Sequence, residues 1–177
     1  MQIVHAGGVQ PLVMMLGSAS EAAQTHSAAA LSHLAAITDN KRAITVAGGI
    51  ERLVRLLSEG CVEAQRHAAA ALWQLASSAD YKNAIAKAGG IPPLVAVLRD
   101  EAAQESAAAV LSELARSQKD NRAKIVRAGG IEPLVAALTS GSAGAKKHSA
   151  CALWGMGSTE EYASRSRLTC DLGECYL

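Results

Sequence analysis

Ala-Gly-Gly followed by Val or Ile occurs four times in the chain, as Ala6-Gly7-Gly8-Val9, Ala47-Gly48-Gly49-Ile50, Ala88-Gly89-Gly90-Ile91 and Ala128-Gly129-Gly130-Ile131. The first glycines of these phrases stand 41, 41 and 40 residues apart. A period of that length marks a stack of like units, each too small to bury its own apolar face and each completed by its neighbours. Every phrase leads into Leu-Val and a closing Leu: Leu12-Val13-Met14-Met15-Leu16, Leu53-Val54-Arg55-Leu56-Leu57, Leu94-Val95-Ala96-Val97-Leu98 and Leu134-Val135-Ala136-Ala137-Leu138. An alanine-rich stretch follows each, at 28–36, 68–76, 107–115 and 149–157.

Each unit reads as three helices. The first is short and opens at Asp39, Asp80 or Asp120, where a carboxylate can accept the free N–H groups of a helix start. It carries Ile44, Ile85 or Ile125 inward and ends at the double glycine, whose backbone reaches left-handed angles without steric cost. The second helix has Pro11, Pro93 or Pro133 in its first turn, where a missing N–H costs nothing; Arg52 takes that place in the second unit. The third is long, roughly 62–78 in the second unit, and rich in the best helix former. The spacing slips once. Leu98 to Glu113 is two residues shorter than Leu57 to Gln74, which puts a deletion in the loop at Arg99–Glu101.

Composition agrees with thin stacked layers. The 177 residues are 50% hydrophobic but 3% aromatic, without Phe, and alanine fills about a fifth. A single thick core draws most of its buried area from aromatic rings; small side chains suit helices that approach closely. The other bulk properties exclude function classes. A net charge of +1 leaves neither a basic footprint for nucleic acid nor an acidic tail. No apolar run approaches the ~18 residues of a membrane span. Residues 11–16 resemble a signal-peptide core before Ser18-Ala19-Ser20, but no positive segment precedes them and the phrase recurs inside the chain.

Chemistry is absent at the level of motifs. The Ala-Gly-Gly turns lack the Gly-Lys-Ser/Thr ending of a phosphate loop and the Gly-x-Gly-x-x-Gly spacing after a strand. No nucleophile elbow, His-Glu-x-x-His pair or kinase set is present. Cys61, Cys151, Cys170 and Cys175 show no metal-type pairing and no disulfide density, which predicts a reducing setting, cytoplasmic or nuclear. The chain is expected to be no enzyme, and to need no cofactor and no metal.

Short helix, Gly-Gly, Pro-Leu-Val and a long Ala-rich helix, four times in order, resemble the armadillo repeat of β-catenin, the importin-α adaptors and many vacuolar and U-box proteins. HEAT repeats share the length but have two helices and lack the Ala-Gly-Gly turn. The resemblance covers residues 1–157, as repeats of about 1–38, 39–79, 80–118 and 119–157, with 158–177 a non-repeat tail. It implies an all-α, right-handed armadillo-type solenoid of about four three-helix repeats, each touching only its neighbours.

In this family the third helix lines the concave groove. Let p be the residue before the second core leucine, or Met156 in its place: His33, Gln74, Glu113 and Gly155. At ~100° per residue, p−2 (Leu31, Leu72, Leu111, Leu153) and p+1 (Leu34, Leu75, Leu114, Met156) mark the buried stripe. The opposite arc holds p−8, p−7, p−4, p−1 and p. Its candidate partner-binding residues are Thr25, His26, Ser32 and His33 in repeat one, and Arg66, His67, Trp73 and Gln74 in repeat two. Repeat three offers Glu105, Ser112 and Glu113, and repeat four Lys147, His148 and Trp154.

Trp73 and Trp154 share p−1 two repeats apart. Either ring could fill space against a neighbouring helix or stand exposed as an anchor for a peptide, tryptophan being a frequent hot-spot residue. His26, His67 and His148 share p−7, with no carboxylates spaced to join them around a metal. Importin-α adaptors carry Trp at p−4 and Asn at p to clamp a basic nuclear-localisation peptide. Here p−4 is Ala29, Ala70, Ala109 and Cys151, and p carries no Asn, which speaks against cargo binding in that manner. Groove charge is mixed, Arg66 and Lys147 facing Glu63, Glu105 and Glu113.

The expected function is a protein–protein interaction scaffold holding an extended peptide or partner segment, without nucleic acid or membrane span. Two alternatives stand beside it. The pattern begins at Ile3 within a first helix and stops after Gly157 without capping repeats, so uncapped ends could assemble into homo-oligomers or arrays. The chain could also be the substrate-recruiting region of a larger protein such as a U-box ubiquitin ligase. In the tail, Ser164-Arg165-Ser166-Arg167 could be a phosphosite, a basic patch or a solvated linker.

Overall fold

A computed structural model describes residues 2–157; the readings placed on Ser164–Arg167, Cys170 and Cys175 lie outside them. The described residues form twelve helices in four successive triplets. The first is α1 (Gln2–His5), α2 (Val9–Met15) and α3 (Glu21–Ala35); the second is α4 (Thr38–Val46), α5 (Gly49–Glu59) and α6 (Val62–Leu75). The third is α7 (Ala79–Lys87), α8 (Ile91–Val97) and α9 (Glu101–Ser117); the fourth is α10 (Lys119–Arg127), α11 (Ile131–Ser140) and α12 (Ala143–Gly157). The long helices stack in order, α3 on α6, α6 on α9 and α9 on α12.

The double glycine has two separate causes. Gly7, Gly48, Gly89 and Gly129 take φ of 76°, 76°, 76° and 73°, a left-handed conformation that a side chain would strain. Gly8, Gly49, Gly90 and Gly130 have ordinary angles but no room. A Cβ there would come within 2.6–3.0 Å of the Cγ2 and the carbonyl oxygen of Ile3, Ile44, Ile85 or Ile125. The first glycine turns the chain, and the second lets the next helix pass against the isoleucine of the previous one, which is buried at Ile44, Ile85 and Ile125 and exposed at Ile3.

The short helices begin differently from the sequence expectation. Asp39, Asp80 and Asp120 lie inside the first turn, not at the cap; the cap positions are Ile37, Ser78 and Gln118. Ser78 alone among them accepts a backbone N–H, that of Tyr81. The carboxylates still sit where the helix dipole favours negative charge. In α4 and α10 the residues that tie the helix down are the neighbouring asparagines, both buried. Asn40 Nδ2 donates to the Leu34 carbonyl at 3.0 Å, and Asn121 Nδ2 donates to the Ser117 hydroxyl at 3.2 Å and the Leu114 carbonyl at 3.4 Å.

The deletion falls at Leu98–Asp100. The closing leucine stands four positions before the cap of the long helix at Leu16–Ser20, Leu57–Cys61 and Leu138–Ser142, but two positions before it at Leu98–Asp100. Helix α8 ends at Val97, and the Asp100 carboxylate caps α9 by accepting from the Ala102 N–H at 2.8 Å. A single continuous core results. Leu31, Leu72, Leu75, Leu111, Leu114 and Met156 are fully buried along the expected stripe, and Leu34 and Leu153 are partly buried. Between the long helices lie Ala28, Ala64, Ala68, Ala71, Ala103, Ala107, Ala108, Ala145 and Ala152, all buried. Alanine at these seams lets the helices approach closely, which is why so hydrophobic a chain needs so few aromatics.

Candidate functional site

The face opposite the leucine stripe gathers side chains from all four long helices, but not all of the expected ones are presented there. His26, His33, Lys147 and Trp154 are exposed; Thr25, Ser32, Arg66, His67, Trp73, Gln74, Glu105, Glu113 and His148 are partly covered. Ser112 is buried and its hydroxyl donates to the Ala109 carbonyl of its own helix at 2.8 Å. Ser32 makes the same bond to Ala29 at 2.8 Å. Neither hydroxyl's proton is aimed at a partner.

Two of the p−8 positions, Thr25 and Glu105, serve the seams instead. Thr25 Oγ1 lies 3.7 Å from Cys61 Sγ, the cap residue of the next long helix. The Glu105 carboxylate accepts from the Ser142 hydroxyl at 2.8 Å, just before α12. It lies so close to Gly144 that a Cβ there would collide with it. A carboxylate at a helix N-terminus is favourable for the dipole, so α9 places Glu105 against α12, not across an open groove. Arg66 is likewise engaged. Its guanidinium donates to Glu63, which holds the Glu63 carboxyl below its ordinary value and raises Arg66 in return.

Repeat three is where acidic charge is neutralised. Glu113 accepts from Lys82 Nζ at 2.6 Å, reaching up from α7, and from Arg116 at 3.4 Å on its own helix. Lys82 and Arg116 were not among the candidates. The wheel does place Arg116, at p+3, on the same arc, one turn beyond the stretch considered; Lys82 belongs to a different helix and carries no such signal.

The two tryptophans diverge. The Trp73 ring meets the His148 ring edge-on, with centroids 5.4 Å apart and planes at 71°. Helix α9 lies between their helices, and its residues Ala109 and Ser112 are small and buried there. Burial lowers the His148 pKa, Lys147 adds to that, and Glu105 and Glu113 oppose it. His67 is lowered first by burial and then by Arg66, whose Nη2 is 3.0 Å from Nε2, with smaller pushes from His33 and His26. His67 shares an electrostatic neighbourhood with His33 and His26, yet among the described residues no group of three His, Cys, Asp or Glu is placed to hold a metal ion.

Trp154 is 77% exposed. It borders an open cleft of about 700 Å³ lined by Arg116, Arg122, Trp154, Gly155 and Gly157. Arg122 is held at the wall by its Nε, which donates to the Ala115 carbonyl at 2.7 Å. No helix among the described residues is long and apolar enough to cross a membrane.

A family profile described as "Armadillo/beta-catenin-like repeat" matches residues 1–36, 38–77 and 118–156. The third repeat, which carries the deletion, is the stretch it leaves out. Among curated proteins, none is significantly similar. Solved structures are. A designed armadillo repeat protein superposes with a TM-score of 0.82 at 27% identity, covering 93% of this chain and 71% of its own. A crystal structure of an engineered protein gives 0.80 at 35%, covering 92% and 67%. A designed armadillo repeat protein in complex with the peptide (KR)4 gives 0.79 at 27%, covering 90% and 69%.

Proposed function

Because the chain belongs to the armadillo/β-catenin-like repeat family, we propose that it is a non-enzymatic scaffold that holds an extended segment of a partner protein along the face of α3, α6, α9 and α12. The observation that carries this reading is Trp154, a large ring left in solvent on that face although tryptophan gains most by burial. The peptide complex of a designed relative supports the general mode. Backbone amides of the partner would meet His33 and Gln74, which carry side-chain donors and acceptors on the face between the exposed ends. Trp73 acts as a wall within the face, its ring already committed to His148.

A peptide array probed with the wild-type protein and with a Trp154→Ala, Gln74→Ala variant tests this. Peptides retained by the first should be lost by the second while its helical circular dichroism is unchanged. Equal retention by both sinks the reading.

A specific observation also favours a second reading, head-to-tail stacking of copies. Met15 is 43% exposed, whereas the matching Leu56, Val97 and Ala137 are buried. At the other end Val135 is 45% exposed, whereas Val13, Val54 and Val95 are buried, the last two with their Cγ2 beside the glycine turn of the next repeat. Two faces that each lack their usual neighbour are mutually complementary and would form a heterologous contact. A Met15→Lys, Val135→Lys variant should then lower the mass seen by light scattering at high concentration. A wild-type protein that stays monomeric at every concentration excludes stacking.

A further inference from the structure

The short helices and turns carry a recess of their own, and none of its walls belongs to a long helix. It lies between the third and fourth units, an open crevice of about 390 Å³. Its apolar side is Ala86 at the end of α7 and Ile91 and Pro92 at the start of α8, with Gly89 leaving the turn between them bare. Its other side is the last turn of α10, which presents Lys124 and Arg127. Both cations are exposed, and among the described residues neither makes an ion pair.

The repeat supplies its own control. A crevice between the first and second units is built at the same places, from Val4, Gly7 and Val9 against Ala43, Val46 and Ala47. There Ala43 stands for Lys124, and Val46, 80% exposed, stands for Arg127. Cations at a helix C-terminus favour the dipole, but α4 forms with none in its last turn, so the fold does not require the pair. The acidic side differs as well. Two residues past the second glycine stand Glu51 and Glu132 in the neighbouring units, whereas the crevice has Pro92. Among the described residues no carboxylate lines it.

From this we infer that the crevice between α7–α8 and α10 takes an acidic segment of a partner protein, an aliphatic side chain on Ile91 and Pro92 and flanking carboxylates on Lys124 and Arg127. A guanidinium offers a carboxylate a planar fork of donors, and an ammonium a mobile point charge. Two cations are too few for a membrane surface, where recognition takes clusters of about four to eight. A net charge of +1 is no footprint for nucleic acid. The crevice lies off the face of α3, α6, α9 and α12, so it stands independently of the groove reading.

The test titrates the full chain with three blocked peptides, Glu-Glu-Leu-Leu-Glu-Glu and the same with Gln or with Lys for Glu, and follows backbone amide resonances. The Glu peptide should bind at least about tenfold more tightly than the Gln peptide, a difference of ~1.4 kcal/mol. It should weaken as salt rises and move the resonances of Gly89, Lys124, Arg127 and Ala128. A Lys124→Ala, Arg127→Val variant copies the uncharged crevice and should erase the preference with helical circular dichroism unchanged. Pro92→Glu supplies the carboxylate of the neighbouring units and should weaken the Glu peptide by a similar factor. Trp154→Ala, Gln74→Ala should bind it as the wild type does. The inference is overturned if the Gln or Lys peptide binds as tightly, or if either crevice variant binds the Glu peptide unchanged. Moved resonances that gather on the long helices, or binding lost in Trp154→Ala, Gln74→Ala, overturn it in favour of the groove. Retention on phosphatidylserine vesicles without Glu-peptide binding overturns it in favour of a lipid surface. Failure of all three peptides to bind overturns it and leaves the groove reading standing.

Discussion

Trp73 and Trp154 occupy the same place in their long helices, yet one is packed and the other stands in water. Trp73 finds a partner not on the adjoining α9 but on α12, where His148 meets its ring at 5.4 Å. Trp154 would need a helix two repeats further on, and no such helix is among the described residues. The comparison shows that on this face the fate of a side chain is set two units away. A position in the repeat therefore does not determine whether a residue anchors the fold or faces a partner. The same lesson holds for Ser112 and Ser32, one buried and one half-covered at that position.

The contrast is open to direct attack. Trp73→Ala should cost about 2 kcal/mol, less than a fully buried tryptophan because part of the ring is exposed. Trp154→Ala should stay within about 0.5 kcal/mol. Urea unfolding followed by circular dichroism measures both, and equal losses would break the comparison. A smaller effect is expected from His148→Ala, about 1 kcal/mol for the lost ring contact. It should red-shift the emission of Trp73 in a Trp154→Phe background and leave that of Trp154 unmoved in a Trp73→Phe background.

The smallest effect is a pH slope. Burial lowers His148 below its ordinary value near 6.5, so the unfolded chain takes up protons more readily than the folded one. Its contribution is full above pH ~6.5 and is lost as pH falls through the lower folded-state value. The midpoint of urea unfolding should therefore drop on acidification. His148→Gln should flatten that slope without removing it, because His67 is lowered for the same reason. A slope of the opposite sign would show that Glu105 and Glu113 outweigh burial at His148.

Much of the fold was legible because it is written in local, repeated chemistry. The glycine pair, the isoleucine before it and the leucine stripe recur where steric rules leave few alternatives, and the structure gives each a geometric cause. The two-residue deletion was legible too, as a break in an otherwise constant period. Helix starts were read less well. Asp39, Asp80 and Asp120 are good cap residues, but the cap is two positions earlier in each helix, and the buried Asn40 and Asn121 beside them carry the tertiary bonds. An asparagine that bonds the carbonyl of an earlier helix has no signature within its own helix.

The site was legible as a face and not as a set of contacts. A helical wheel places Glu105, Thr25 and Arg66 on the concave side, but it treats each helix alone. It cannot show that Glu105 turns to α12, that Thr25 meets Cys61, or that Lys82 rises from α7 to Glu113.

By itself, then, the sequence determined the repeat, its turns and the small-residue seams, since these follow from backbone angles and side-chain volume over a few neighbouring residues; the armadillo-type solenoid was what its resemblance to the family implied. Only the tertiary structure decided which charges pair across helices and which tryptophan meets solvent. Those outcomes depend on distances between residues about 30 to 80 positions apart along the chain, such as Lys82 and Glu113 or Trp73 and His148. No local preference encodes such a distance; the stacking of the repeats sets it.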